Sequence, residues 1–183
     1  MNVLAMWIAM VAVAVALTFF FPGSQLQPQL TGPALAADLP STGDFTVAAW
    51  ITPADSAEDG YALLKGRADG ALQGFGLGIA NRRPFVAIGD QDSSILIQGP
   101  MPVQGRTQLA AMRQGRVLRL FVNGLPVAEA VATAALPADP LQAGTLPGDH
   151  TFRGTVEGVT IFLAARSDAD LRQRYAADAG VAQ

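Results

Sequence analysis

Cysteine is absent from the 183 residues, so disulfides, thiolate zinc sites and a cysteine nucleophile are all excluded. Lysine occurs once, at Lys65. The arginines are scattered, and the nearest approach to a basic patch is Arg82 and Arg83 in a turn. With a formal net charge of -3 the chain has no cluster able to displace counterions from phosphates, which excludes nucleic acid as a partner. Histidine also occurs once, at His150. A Ser-His-Asp site would have to use that loop residue, and a histidine metal site would lack its second imidazole. Glutamate is confined to Glu58, Glu129 and Glu157, and no two acidic residues alternate along a strand, so no closely spaced pair of hydrolytic carboxylates stands out. The glycines of Gly74-Phe75-Gly76-Leu77-Gly78 sit in a strand pattern with no helix start behind them, so they do not cradle phosphate. They mark a place where a bulky neighbour packs over the strand. The chain therefore reads as non-enzymatic.

Apolar residues, by contrast, make up 50% of the sequence. Residues 3–21 carry no charge, and at ~1.5 Å rise each they would span roughly 28 Å as a helix, close to the hydrocarbon thickness of a bilayer. Residues 1–22 are read as a transmembrane helix. Ala34-Leu35-Ala36 resembles a signal-peptide cleavage site. It lies well beyond the apolar run, however, and the run has no basic residue before it and is longer than a usual signal core, so the segment is read as an uncleaved anchor. Ala5, Ala9, Ala12 and Ala16 fall on one stripe of that helix, where small residues permit close approach in lipid, and they are taken as a docking face for other membrane-protein subunits. The short N-terminus is expected in the cytoplasm and the C-terminal domain outside it, which corresponds to single-pass insertion in a bacterial inner membrane with a periplasmic domain.

Residues 23–43 read as a Pro/Gln-rich linker, with Pro22-Gly23 stopping the helix. Its leucines, Leu26, Leu30, Leu35 and Leu39, suit a segment that runs along a partner better than a solvated spacer. From residue 45 onward short strands follow one another, at 45–51, 61–64, 75–79, 85–88, 95–97, 107–113, 116–122 and 127–131, with a closing strand within 152–162. Each is bounded by turn residues, and Asn123-Gly124 is the strongest two-residue hairpin signal a sequence offers. Only residues 167–177 have helical character, with Ser167 as N-cap, Asp168 and Asp170 in the first turn, and Leu171 and Tyr175 on one face. Such a series predicts a mainly β, antiparallel sandwich over 44–178 with a short C-terminal helix and a tail at 179–183. Trp50, Phe75, Phe85, Phe121 and Phe162 are assigned to the core, and Tyr61 and Phe152 are left as the aromatics open to a ligand.

The opening Phe45-Thr46-Val47-Ala48-Ala49-Trp50-Ile51-Thr52-Pro53, the pair of strands leading into the Asn123-Gly124 hairpin, and the closing Phe152-Arg153-Gly154-Thr155-Val156-Glu157-Gly158-Val159-Thr160-Ile161-Phe162 together resemble the laminin G-like family of the concanavalin A-like lectin/glucanase superfamily. The resemblance implies a jelly-roll sandwich and a structural contact for Glu157. Many members of that family bind calcium through oxygen ligands at one rim. Here Asp90 and Asp92 in the Asp90-Gln91-Asp92-Ser93 loop are the calcium candidates, set against the ordinary use of Asp in turns. No other cofactor is expected. Two functions follow as expectations. The first is an accessory subunit that docks by helix and sandwich onto a larger membrane complex, such as a bacterial photosynthetic reaction centre. The second is a carbohydrate-binding module displayed at the surface. An exposed Tyr or Phe flanked by Asn and Arg on a sheet face would favour glycan; a flat apolar face would favour protein contact.

Overall fold

The computed structural model describes residues 38–55, 59–144 and 152–180, together with the backbone of residues 30–31. The transmembrane segment, its alanine stripe (Ala5, Ala9, Ala12, Ala16), Glu58 and His150 lie outside the described residues. Among the described residues no helix is long and apolar enough to cross a membrane.

Eleven strands and one helix run in the order β1 (Leu30–Thr31), β2 (Phe45–Pro53), β3 (Gly60–Arg67), β4 (Gln73–Ala80), β5 (Arg83–Gly89), β6 (Ser94–Gln98), β7 (Thr107–Gln114), β8 (Val117–Val122), β9 (Leu125–Val131), β10 (Leu141–Ala143), β11 (Gly154–Phe162) and α1 (Asp168–Asp178). A six-stranded sheet, in the order β1-β11-β2-β7-β8-β9, faces a five-stranded sheet in the order β10-β3-β4-β5-β6. All pairings are antiparallel except that of β1 with β11. The expected sandwich with its short C-terminal helix is present.

The core follows from strand alternation. Phe45, Val47, Ala49 and Ile51 on β2 meet Leu63, Phe75, Leu77, Ile79, Val86 and Ile88 of the opposing sheet, with Leu109, Ala111, Leu118 and Leu120 alongside. Phe45 and Phe75 pack edge to face, 5.6 Å apart. The Asn123-Gly124 turn joins β8 to β9 with φ of 51° and 74° at its two residues, the left-handed geometry that a tight hairpin needs. α1 lies over the outer face of the six-stranded sheet. Ser167 caps it by accepting the Asp170 N–H at 3.1 Å, Leu171 is buried against Ala110, Met112 and Phe121, and Tyr175 stacks on Trp50.

Several expectations change. The stretch read as linker contains β1, and Leu39 is part of the core, because it plugs the sandwich beside β10. Phe152, left open to ligand, is fully buried, whereas Phe162, placed in the core, is only half-buried and carries the guanidinium groups of Arg166 and Arg174 over its ring. The lone lysine is inside. Strand alternation turns Lys65 inward beside Leu63 and opposite Phe75, and its ammonium is met by Asp38 at 2.7 Å and by the Asp139 carbonyl. Burial works against the Asp38 charge, yet the Lys65 ammonium and the N–H groups of Leu39 and Leu141 together hold its carboxyl below the ordinary value. This clamp ties residues 38–39 and β10 to β3 and closes one edge of the sandwich.

Candidate functional site

Alternation on the five-stranded sheet sends Tyr61, Leu64, Gly76, Gly78, Phe85, Ala87, Leu96 and Gln98 to its outer face. No helix covers this side among the described residues, but the β3–β4 loop packs over part of it: the Leu72 carbonyl would stand 2.2 Å from a Cβ on Gly89, and Leu64, Phe85 and Ala87 are buried. Its centre is built by glycines. Gly78 pairs with Tyr61 on one flank and Phe85 on the other, so both rings lean across a strand that has no side chain to keep them apart. They meet edge to face with centroids 5.3 Å apart. A Cβ at Gly76 would lie 2.3 Å from the Tyr61 ring, so the bulky neighbour expected over this glycine run is Tyr61.

Around the pair, Leu64, Leu72 and Ala87 complete a small apolar cluster with Phe85. Phe85 is only 3% exposed, Tyr61 is half-buried, and Leu96 at the margin is 56% exposed. Burial pushes the Tyr61 hydroxyl above its ordinary pKa. Polar groups stand at the rim of the face: Gln98 pairs with Phe85 and donates its amide to the Ala80 carbonyl, Arg83 pairs with Ala80, and Gln142 pairs with Leu64. The face is thus apolar in the middle and polar at the edges.

A second concavity, about 450 Å³, opens where the loop after β6 meets the β8–β9 hairpin, lined by Pro84, Pro100, Met101, Gln104, Asn123 and Leu125 among others. Asn123 spends its carboxamide oxygen on the Gln108 N–H, so it braces the hairpin.

The calcium candidates do not converge. Asp90 Oδ1 accepts the N–H groups of Asp92 and Ser93 and the Ser93 hydroxyl, and the two N–H bonds foremost hold its carboxyl below the ordinary value. It closes the β5–β6 turn, the common use of Asp in such a place. No group of three or more His, Asp or Glu able to hold a metal occurs among the described residues. Glu129 pairs with Arg119 at 2.9 Å, and Glu157 lies 3.7 Å from Arg106 with both side chains exposed, an ion-pair distance beyond hydrogen-bond length. Arg106 in turn covers the Trp50 ring at 3.8 Å.

Residues 27–172 match the sequence profile of the concanavalin A-like lectin/glucanases superfamily. The chain belongs to that superfamily. Among solved structures it is similar to the CBM40 domain of the Ruminococcus gnavus IT-sialidase bound to alpha2,3 sialyllactose, with a TM-score of 0.60, 18% identity, and 73% of this chain covering 82% of that one. It is also similar to the binding domain of botulinum neurotoxin DC in complex with SialylT, with a TM-score of 0.54 and 10% identity over 74% of this chain and 35% of that one. The binding domain of Paraclostridial Mosquitocidal Protein 1 gives a TM-score of 0.55 at 10% identity, over 77% of this chain and 38% of that one. This superfamily member thus spans little more than a third of the two toxin domains. At these identities the likeness is one of fold. No curated protein matches its sequence.

Proposed function

We propose that this chain is a non-catalytic, lectin-like binding module whose ligand face is the outer side of the five-stranded sheet. One observation carries the reading: Tyr61 and Phe85 form an aromatic pair over a glycine-paved strand, with Arg83, Gln98 and Gln142 within the same face. An aromatic ring beside hydrogen-bonding side chains is the surface a pyranose stacks on. Two of the solved neighbours support the reading, one bound to alpha2,3 sialyllactose and the other in complex with SialylT. Residues 3–21, as an anchor, would hold the module at a bacterial inner membrane with the domain outside the cytoplasm. The test is a glycan array followed by titration with α2,3-sialyllactose, comparing the native chain with Tyr61→Ala. Saturable binding that Tyr61→Ala removes supports the proposal; no glycan bound by the native chain refutes it.

A second reading has its own observation. The middle of the face is apolar and Leu96 at its margin is 56% exposed, which suits protein contact. It corresponds to the accessory-subunit role in a membrane assembly such as a photosynthetic reaction centre, with the stripe of Ala5, Ala9, Ala12 and Ala16 docking in lipid. Gentle detergent extraction and mass spectrometry of the co-purifying chains separates the two. A stoichiometric membrane complex that is lost on Leu96→Lys supports docking, and a chain that purifies alone refutes it.

A further inference from the structure

Four strands form the sheet edges among the described residues: β1, β9, β10 and β6. Sheet edges carry unpaired N–H and C=O groups, and proteins usually blunt them with shortness, proline, charge or a bulge. β1 has two residues and β10 three. β9 carries Pro126 and Glu129 and a register shift opposite Leu120 and Phe121. β6, Ser94-Ile95-Leu96-Ile97-Gln98, has none of these devices: no proline, no charge and an uninterrupted register with β5.

The orientation of its free groups can be worked out. Gly99 donates its N–H to Pro84, and Ser93 accepts the N–H of Asp90. These bonds flank β6 and fix the alternation of an antiparallel ladder, so Ile95 and Ile97 bond to β5 while Ser94, Leu96 and Gln98 turn their N–H and C=O groups to the open edge. The segment is also close to a palindrome. Centred on Leu96, an antiparallel copy would set Leu96 against Leu96, Ile95 against Ile97, and Ser94 against Gln98. In that register each of the three edge-facing residues meets an edge-facing residue of the other copy, which closes about six ladder bonds. No like charges oppose each other. The core is open along this edge as well: Ile95 and Ile97 are only partly buried, Leu96 is exposed, and Met101 just beyond the strand is 71% exposed.

We infer that β6 is a self-pairing edge, and that two copies of this chain join through antiparallel β6–β6 ladders about a two-fold axis at Leu96. The contact is isologous, so it closes at two copies. It fuses two five-stranded sheets into one continuous sheet and aligns the outer faces that carry Tyr61 and Phe85. A five-residue ladder sits at the small end of stable interfaces, at or below about 1,200 Å² in total, so pairing belongs to conditions in which the copies are concentrated. The inference does not depend on what the outer face binds.

The absence of cysteine makes the register directly testable on the full chain in mild detergent. Across the axis the two Leu96 Cα atoms would stand ~5.5 Å apart, whereas Ser94 to its own copy is offset by four residues, roughly 14 Å along the strand. With a methanethiosulfonate crosslinker of one-carbon span, Leu96→Cys is expected to give a covalent dimer and Ser94→Cys alone is not, while the double variant Ser94→Cys/Gln98→Cys crosslinks again. Leu163→Cys, an exposed site away from β6, is the collision control. Crosslinking of Leu96→Cys no greater than that of Leu163→Cys or Ser94→Cys overturns the inference, even if the chain associates by other means. Circular dichroism of each variant confirms that these surface substitutions leave the fold intact.

Discussion

Removing Asp38 and removing Lys65 should have very unequal effects, although the two form one ion pair. Lys65 is 2% exposed and, among the described residues, its ammonium is met by Asp38 and the Asp139 carbonyl. Asp38→Ala leaves that charge buried and under-compensated, and breaking a fully buried pair this way costs about 3–5 kcal/mol. The Asp38 side chain is itself 43% exposed, so water screens part of the loss, and about half of the range, ~2 kcal/mol, is the sensible figure. The N–H groups of Leu39 and Leu141 lose their acceptor as well, which adds about 1 kcal/mol. The total of about 3 kcal/mol is large beside the ~5–15 kcal/mol that hold a domain together. Lys65→Met instead fills the same slot with an apolar chain and leaves Asp38 with its two backbone donors and solvent, so it should lie within about 1 kcal/mol of the native chain.

Urea unfolding of the full chain in mild detergent, followed by far-ultraviolet circular dichroism, reads this difference. With a slope near 2 kcal/mol per molar, Asp38→Ala should move the midpoint down by about 1.5 M and Lys65→Met by less than about 0.5 M. The double variant should recover most of the Asp38→Ala loss, since no buried charge remains to be left alone. Acid adds a check of sign. The Asp38 carboxyl is held below its ordinary value of 3.8, so its contribution is present above that pH and is lost as pH falls through the lower folded value. The native chain should therefore lose stability more steeply below pH 3.8 than Lys65→Met does. Equal midpoints for Asp38→Ala and Lys65→Met, or an Asp38→Ala midpoint unchanged from native, would refute the reasoning.

Other perturbations test the remaining structure. Gly76→Val puts branched carbon into the space of the Tyr61 ring and should cost ~1–3 kcal/mol while displacing Tyr61, seen as a lower thermal midpoint and lost ligand binding. Gly124→Ala meets both the left-handed backbone and the Arg172 Cα, 2.9 Å from the added Cβ, so a loss of about 1–2 kcal/mol with weaker amide protection across α1 is expected in hydrogen exchange. Because Tyr61 titrates above 10.0, the folded state keeps a proton that the unfolded chain gives up, and stability should fall as pH rises beyond 10; Tyr61→Phe should flatten that limb of the profile. Millimolar calcium should leave the thermal midpoint of the native chain unchanged, since Asp90 is committed to its own turn; an upward shift lost in Asp92→Asn would restore the metal reading.

Most strands are legible from the sequence because each joins an apolar alternation to a turn with its own chemistry, as Asn123-Gly124 does between β8 and β9. β10 escapes such a reading: Leu141-Gln142-Ala143 follows Pro140 and is too short to show a period. β1 escapes it because two residues in parallel pairing have no local signal at all. The burial of Lys65 is invisible for a different reason, since its counter-ion lies 27 residues upstream in a stretch that reads as spacer. At the candidate site the glycine spacing announces that something large crosses β4, and Tyr61 stands out as an aromatic outside the strands assigned to the core. Which ring crosses is decided by the irregularity between Tyr61 and Leu63, which a period-two reading does not contain. The same limit explains Phe162, which belongs to a strand pattern but falls on the half-open side where Arg166 and Arg174 reach it.

The two edges of the sandwich are built on opposite principles, and that contrast links the clamp to the proposed pairing. At one edge Lys65, Asp38, Leu39 and the short β10 spend hydrogen bonds and charge to shut the space between the sheets. At the other, β6 and β9 leave Leu96, Leu125, Val131 and Met101 in solvent and Ile95 and Ile97 only partly covered. Exposed apolar groups gathered on one edge, in a chain that closes its other edge with a buried charge, mark the side on which further contacts form. The outer face with Tyr61 and Phe85 lies on the same sheet as β6. A second copy paired there would extend the proposed ligand surface without touching its centre, so if that face binds glycan, substitutions at Leu96 should change avidity for a multivalent glycan surface more than affinity for a single soluble sugar. Equal losses in both measurements would place Leu96 in the ligand contact itself.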